Sequence, residues 1–223
     1  MQETSLHAAL KAWYAQSGDS LEVPVDGYLV DVVHKDLLVE IQTRNFSAIK
    51  PKLTRLLQDH PVRLVHPIAV EKWIVRLPAG EDSPPARRKS PRRGRMEHLF
   101  LELVRIPHLV AHPNFSVEVL LTREEEVRRD DGQGSWRRKG WSIADRRLLE
   151  VVERRVLVDP VDFSALLPDS LPMPFTNRDL SQKLQIPLYL AQRMVYCLRA
   201  MGVVDTAGRK GRACLFNRIE PIR

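Results

Sequence analysis

Apolar residues recur at helical spacing near the start of the chain and then fall into short runs. Leu6 and Leu10 mark the inner face of a predicted helix over 4–16, which Thr4 or Ser5 can cap. Turn residues then separate apolar stretches of strand length. The predicted strands are Leu21–Val25, Leu29–Val33 and Leu37–Ile41. This stretch therefore predicts a helix followed by three strands.

Helices and strands continue to alternate through the middle of the chain. The predicted elements are a helix over 46–59, strands over 62–65 and 72–77, a helix over 96–105, and strands over 116–122 and 135–143. Residues 146–155 fit either a helix or a strand. This order predicts an α/β fold in which a mixed sheet has helices on both faces.

Two proline-rich stretches interrupt the pattern. Residues 78–95 hold four prolines and a run of Arg and Lys, which predicts an exposed basic loop. Residues 159–174 are also proline-rich and are predicted to form a linker. We therefore expect one domain over 1–158 and a second over 175–223.

The last fifty residues have a character of their own. They predict a helix over 177–184, a tight turn, a helix over 188–200, and a hairpin with strands Val203–Asp205 and Ala213–Phe216. Helix, tight turn, helix and basic hairpin is the order of a winged helix-turn-helix. A winged helix domain predicts DNA binding, while a protein-docking or dimerising module is the alternative.

The second helix of a winged helix normally enters the major groove of DNA. Its predicted outward side chains are Tyr189, Gln192, Arg193 and Arg199. Gln and Arg are the side chains that read adenine and guanine edges. The hairpin supplies Arg209, Lys210 and Arg212, which suit contacts to phosphates.

Charge points in the same direction. The net charge is +7 and the isoelectric point is about 9.7, a balance that favours a polyanionic partner, most commonly nucleic acid. Further basic clusters are Arg87, Arg88, Lys89, Arg92 and Arg93, and then Arg137, Arg138 and Lys139. The second cluster lies between Trp136 and Trp141, which suits a surface that follows a backbone and stacks bases. A solvated basic surface is the alternative for both clusters.

Nothing in the sequence predicts a membrane protein. No apolar run approaches the ~20 residues of a membrane span. The N-terminus has no basic region ahead of an apolar one, so no signal peptide is predicted. We expect a cytoplasmic location.

Two strands of the predicted core carry carboxylates. A two-residue loop at Lys35-Asp36 puts Asp31 directly opposite Glu40. Like charges opposite each other in a buried sheet destabilise it unless a cation lies between them. With the Ile41 carbonyl they form a hard oxygen site suited to Mg²⁺ or Mn²⁺. The alternative is a pair of solvent-facing acids on an edge strand.

The pattern D-x8-E-x-Q, on two adjacent strands preceded by a helix and followed by a helix and a strand, resembles the PD-(D/E)XK nuclease superfamily. The resemblance covers roughly residues 1–77. It implies a restriction-endonuclease-like fold in which Asp31 and Glu40 bind a divalent metal ion. The implied reaction is hydrolysis of DNA phosphodiester bonds.

The chain departs from that family at one position, because Gln42 stands where lysine is usual. Gln42 can orient the attacking water but carries no positive charge. Lys50, at the start of the next helix, is a candidate for a lysine that has migrated. Certain members also have an acid on the first helix, and Glu3 is the acid near that position.

The sequence therefore predicts a Mg²⁺- or Mn²⁺-dependent DNA endonuclease that a winged helix targets to DNA. A homodimer is expected if both strands are cut, since that requires two active sites. One alternative is a catalytically inactive core in a DNA-binding or regulatory protein. Another is a structural protein whose winged helix holds a partner.

Overall fold

The structure of the chain, a computed structural model, describes residues 4–77 and 85–219. Within these residues a mixed sheet contains seven strands, and a separate hairpin follows near the C-terminus. The sheet strands are β1 (Ser20–Val25), β2 (Tyr28–His34), β3 (Leu37–Ile41), β4 (Val62–Leu77), β5 (Ala86–Lys89), β6 (Phe115–Asp130) and β7 (Trp141–Leu157). The hairpin strands are β8 (Val204–Lys210) and β9 (Ala213–Arg218). The α/β class with a mixed sheet flanked by helices is thus confirmed.

The helices connect and flank this sheet. They are α1 (Ser5–Tyr14), α2 (Phe46–Leu56), α3 (Phe100–Leu103), α4 (Pro160–Ser164), α5 (Asn177–Leu184) and α6 (Leu188–Ala200). The sheet order is β1-β2-β3-β4-β6-β7, and β5 pairs with β4. Because α2 carries the chain back between β3 and β4, those two strands are parallel. The pair β4–β6 is also parallel.

The long strands are the main departure from the predicted elements. A single strand, β4, replaces the two strands predicted over 62–65 and 72–77. It stays continuous because β6 pairs with it from Val62 to Leu77, and a bulge between Ala69 and Glu71 absorbs the irregularity. The same pairing extends β6 and β7 and makes the ambiguous segment 146–155 a strand.

The predicted basic loop is partly strand. Ala86–Lys89 forms β5, which pairs with residues 73–76 of β4. The edge of β4 would otherwise have unpaired backbone groups there, and the basic segment forms hydrogen bonds with them. Residues 78–84 lie outside the described part of the chain. The helix predicted over 96–105 is shorter than expected, with a 3₁₀ turn over Met96–Leu99 before α3.

The C-terminal helices begin and end where the sequence predicts. Thr176 caps α5 reciprocally with Asp179, and Gln185 takes a left-handed conformation at the turn before α6. The segment predicted as a linker contains α4 and adds Phe163, Leu167 and Leu171 to the core. That core is continuous from the sheet into α6. No helix within residues 4–77 and 85–219 is long and apolar enough to cross a membrane.

Candidate functional site

The β2–β3 hairpin has the register that the sequence predicts. Its pairs are Val32 with Val39, Val33 with Leu38, and His34 with Leu37, around the two-residue loop. The paired register ends at Val32 and Val39, and Asp31 and Glu40 are the next residues on the two strands. The two carboxylates are close enough for the charge of Asp31 to affect the pKa of Glu40.

Asp31 is held at the end of β3 by the backbone. Its Oδ2 accepts a hydrogen bond from the Ile41 amide at 2.8 Å. The same oxygen lies 3.3 Å from Nε2 of His7, on the first turn of α1. His7 Nε2 also lies 3.0 Å from the Ile41 carbonyl oxygen. His7 is thus a further residue of the site. The sequence pattern did not identify it, because its contacts with β2 and β3 depend on how α1 packs on the sheet.

Glu40 is the buried acid of the pair. Its side chain is 3% exposed, and Lys52 Nζ lies 2.5 Å from its Oε1. The contact is an ion pair without the alignment of a hydrogen bond. Burial raises the pKa of Glu40 to about 7; the Lys52 ammonium opposes this rise, and the Asp31 carboxylate adds to it. Lys52 also donates to the Leu29 carbonyl at 2.5 Å.

The lysine at the site is Lys52, whereas the sequence suggested Lys50. Lys50 is exposed on α2, and two positions on a helix are ~200° apart, so the two lysines point in different directions. Lys52 lies three residues after Ile49, beside the buried face of the helix. That spacing was the signal that could have identified it. Glu3 lies outside the described residues.

Gln42 secures the turn that leads into α2. Its Nε2 donates to the Arg44 carbonyl at 2.6 Å, with the Asn45 carbonyl at 3.4 Å. Its backbone carbonyl accepts from His66 Nδ1 at 2.7 Å. The amide nitrogen is therefore used structurally, and Oε1 is the atom of Gln42 that can orient a water.

His7, Asp31, Ile41 and Gln42 line a cleft of about 850 Å³, whereas Glu40 and Lys52 are not part of its lining. The lining combines the middle of β2, the end of β3, the start of α1, the turn before α2 and residues 143–146 of β7. β7 is the far edge of the sheet, and bulges along β4, β6 and β7 bend these strands. Asp145 accepts a hydrogen bond from the Ser5 hydroxyl at 2.7 Å, which fixes β7 to α1.

The cleft offers an oxygen-rich set of donors. Within residues 4–77 and 85–219, no group of three or more His, Cys, Asp or Glu side chains is arranged to hold a metal ion. The cleft lining contributes the carboxylate of Asp31 and the carbonyl of Ile41, and the carboxylate of Glu40 lies buried next to Ile41 on the same strand. Glu40 Oε1 is buried without a well-aligned hydrogen bond. Such a donor set fits a hard divalent cation that keeps part of its water shell.

The raised pKa of Glu40 makes a prediction about stability. The folded chain keeps a proton on Glu40 that the unfolded chain releases between pH 4.5 and about 7. Stability from this group is therefore present at low pH and is lost as the pH rises through about 7. Relative to Glu40→Gln, whose amide does not titrate, the free energy of unfolding of the wild type should fall by roughly 3 kcal/mol between about pH 4 and pH 8.

Urea denaturation of both proteins in chelator at the two pH values measures this difference. Comparing the two proteins cancels the titration of all other groups. A wild-type-minus-variant difference that is the same at both pH values would contradict the burial of an ionisable Glu40.

The predicted DNA-reading helix presents most of its predicted side chains outward. Tyr189 and Gln192 are exposed on α6. Arg199 is exposed too, with its guanidinium 5.9 Å from the Phe216 ring. Arg193 differs from the prediction of an outward side chain. Its Nη1 donates to the Leu101 carbonyl at 3.1 Å, because α6 packs against α3 on that side. Arg209, Lys210 and Arg212 are exposed at the end of the β8–β9 hairpin.

The first basic cluster is partly neutralised. Arg87 pairs with Glu125 at 2.9 Å and Lys89 pairs with Glu71 at 3.0 Å. Both cations also lie against the Trp73 ring, at 5.0 and 5.2 Å. Strand pairing of β5 with β4 creates these contacts. The remaining basic residues of the cluster are exposed, namely Arg88, Arg92 and Arg93.

The second basic cluster lies at the turn between β6 and β7. Arg137 and Lys139 are exposed there. Arg138 is half-buried, and its Nε donates to the Trp141 carbonyl at 3.0 Å. The turn therefore has two exposed cations beside a half-buried one.

Comparison with known proteins gives the family of the chain. The family model described as a domain of unknown function (DUF8091) matches residues 4–158, more than half of the chain. The chain therefore belongs to this family. A Treponema pallidum (strain Nichols) protein named "Uncharacterized protein" is 31% identical over 222 residues, which cover 99% of this chain and 87% of that protein. No solved structure matches significantly.

Proposed function

We propose that this member of the DUF8091 family is a divalent-metal-dependent DNA endonuclease with a restriction-endonuclease-like core and a C-terminal winged helix. One observation carries the proposal: Asp31 lies close enough to Glu40 on the neighbouring strand to raise its pKa, and the Lys52 ammonium lies 2.5 Å from Glu40. Two acids and a lysine are the residue types that the nuclease resemblance requires. Here the lysine comes from α2 instead of from the position of Gln42.

Asp31, Glu40 and the Ile41 carbonyl are the residues that would hold Mg²⁺ or Mn²⁺. When bound, the ion would polarise the scissile phosphate and lower the pKa of the attacking water. Gln42 lines the same cleft, and its Oε1 could accept a hydrogen bond from that water.

Lys52 supplies the positive charge that Gln42 lacks. In the metal-free chain its ammonium forms an ion pair with Glu40 and donates a hydrogen bond to the Leu29 carbonyl. A divalent ion on Glu40 would weaken that ion pair by competing for the carboxylate. The ammonium can then stabilise negative charge on the phosphate in the transition state.

The C-terminal segment would bring the enzyme to DNA. Exposed Tyr189, Gln192 and Arg199 lie on α6, and the hairpin end adds three cations. The overall charge of +7 favours the same partner. If both strands are cut, two active sites are required, so a homodimer is part of this proposal.

Nicking of supercoiled plasmid DNA tests the proposal. Wild-type protein should nick with Mg²⁺ or Mn²⁺ and not with chelator. Lys52→Met should lower the initial rate by about 10²-fold, the usual cost of one transition-state donor. Lys50→Met removes the same charge from the exposed face of the same helix, and it should nick at the wild-type rate.

Equal rates in the two lysine variants would mean that Lys52 has no part in the reaction. Circular dichroism of each variant confirms that the comparison is between folded proteins. Absence of nicking by the wild type with either metal would remove the nuclease proposal.

A second candidate function is a DNA-binding or regulatory protein with an inactive core. The observation in its favour is that both carboxylates proposed as ligands already have partners: Glu40 pairs with Lys52, and Asp31 accepts from the Ile41 amide. Salt-dependent binding of duplex DNA without metal-dependent nicking would support this function instead.

A further inference from the structure

The β6–β7 turn projects a charged arm beside the cleft. The β6–β7 arm comprises residues 127–147. Its basic residues are Arg128, Arg129, Arg137, Arg138, Lys139, Arg146 and Arg147, against the acids Asp130, Asp131 and Asp145. Arg128 and Arg146 pair with Glu126, and Arg147 pairs with Glu125, at the base of the arm. The exposed cations toward the tip, Arg129, Arg137 and Lys139, are the ones that can attract phosphates.

The tip of the arm has a fixed shape. Gly134 donates to the Gly140 carbonyl at 2.7 Å, which closes the loop. A Cβ atom at Gly134 would lie 1.9 Å from the Trp141 carbonyl oxygen, so only glycine fits this crossing. Asp131 accepts from the Gln133 amide at 3.0 Å and from the Ser142 hydroxyl at 2.6 Å. The loop between Gly134 and Gly140 is therefore held from both sides.

This closed loop exposes the indole of Trp136 to solvent. Trp136 is 82% exposed, and the Arg137 guanidinium lies 5.4 Å from its ring centroid. A second indole, Trp141, lies at the base of the loop with Arg76 at 5.0 Å from its ring. Proteins that bind single-stranded nucleic acid use aromatic rings beside cations, since bases stack on the rings and phosphates contact the positive charges.

The arm leads directly to the cleft. Residues 143–146 line the cleft beside Asp31. Trp141 precedes residue 143 by two positions, or ~7 Å along the strand. A strand of DNA that follows β7 would therefore pass from the candidate site to the indoles.

We infer that the β6–β7 arm binds single-stranded DNA, and that the substrate of the candidate site is DNA with an unpaired segment. The cations alone would suit either duplex or single strand. Trp136 favours the single strand. Inside a duplex each base is covered by the base pairs above and below it, so an indole can stack only on an unpaired base. The substrate part of this inference and the choice of DNA over RNA rest on the proposed nuclease function, whereas binding of a single strand by the arm does not.

Fluorescence anisotropy in the presence of chelator tests the binding part. The probes are a fluorescein-labelled dodecathymidine, the matching uridine oligonucleotide and a blunt duplex of the same length. Trp136→Ala should weaken dodecathymidine binding about tenfold, the usual effect of one stacking ring, and change duplex binding less than twofold. Trp13→Ala removes another exposed indole outside the arm and should leave both affinities at the wild-type level.

Unchanged dodecathymidine affinity in Trp136→Ala, or an equal loss on the duplex, would overturn the inference. Tighter binding of the uridine oligonucleotide than of dodecathymidine would overturn the choice of DNA. Cleavage with Mg²⁺ then compares a tailed duplex with a blunt one, and faster cleavage of the tailed duplex is expected.

The two proposals fail in different ways. If Trp136-dependent binding is present but no substrate is cut, the nuclease proposal fails and the binding inference stands. If plasmid is nicked but Trp136→Ala binds dodecathymidine normally, the binding inference fails and the nuclease proposal stands.

Discussion

Replacing Asp31 with asparagine should lower metal-dependent nicking at least ~10³-fold, because it removes the charge of a proposed metal ligand. The fold should survive this change. Asp31 Oδ2 accepts from the Ile41 amide at 2.8 Å, and the asparagine carbonyl oxygen can accept the same hydrogen bond. The initial rate of plasmid nicking measures the effect.

Asp36→Asn is the matched control, since it makes the same charge change at the exposed turn of the same hairpin. It should nick at the wild-type rate. A second measurement does not depend on activity: Mg²⁺ should raise the melting temperature of the wild type and of Asp36→Asn at pH 8, but not that of Asp31→Asn. Asp31→Asn protein that retains more than a tenth of the nicking rate would move the site elsewhere.

Local sequence rules predicted the parts of the site that depend on neighbouring residues. The two-residue loop at Lys35-Asp36 determines the hairpin register and so puts Asp31 and Glu40 at adjoining positions of β2 and β3. Thr176 and Asp179 likewise mark the start of α5, because a capping box needs only four consecutive residues.

The parts that depend on how elements pack were not predictable in the same way. Lys52 reaches Glu40 because the buried face of α2 packs on the sheet in the folded chain. Arg193 turns inward because α6 meets α3, although its position on the helix alone suggested an outward side chain. The single long β4 follows from pairing with β6, whose partner residues lie about fifty positions away.

Packing of α6 also bears on whether the two predicted domains are independent. Leu190 and Leu198 of α6 are fully buried, as is Phe100 of α3, and they belong to one continuous core with the sheet. Arg193 adds a hydrogen bond across the same boundary. A division of the core at residue 158 would separate these contacts, so the family match over 4–158 need not be a folding unit.

Leu198→Ala should therefore destabilise the sheet as well as α6. All four tryptophans, Trp13, Trp73, Trp136 and Trp141, precede residue 158, so their fluorescence reports on the N-terminal part alone. If the core unfolds as one unit, truncating Leu198 should lower the tryptophan-monitored free energy of unfolding by about 2–5 kcal/mol, the cost of a buried leucine. Tyr196→Ala, exposed on the same helix, should stay within about 0.5 kcal/mol of the wild type. A tryptophan transition that Leu198→Ala leaves in place, while circular dichroism detects an earlier helical transition, would instead establish two independently folding domains.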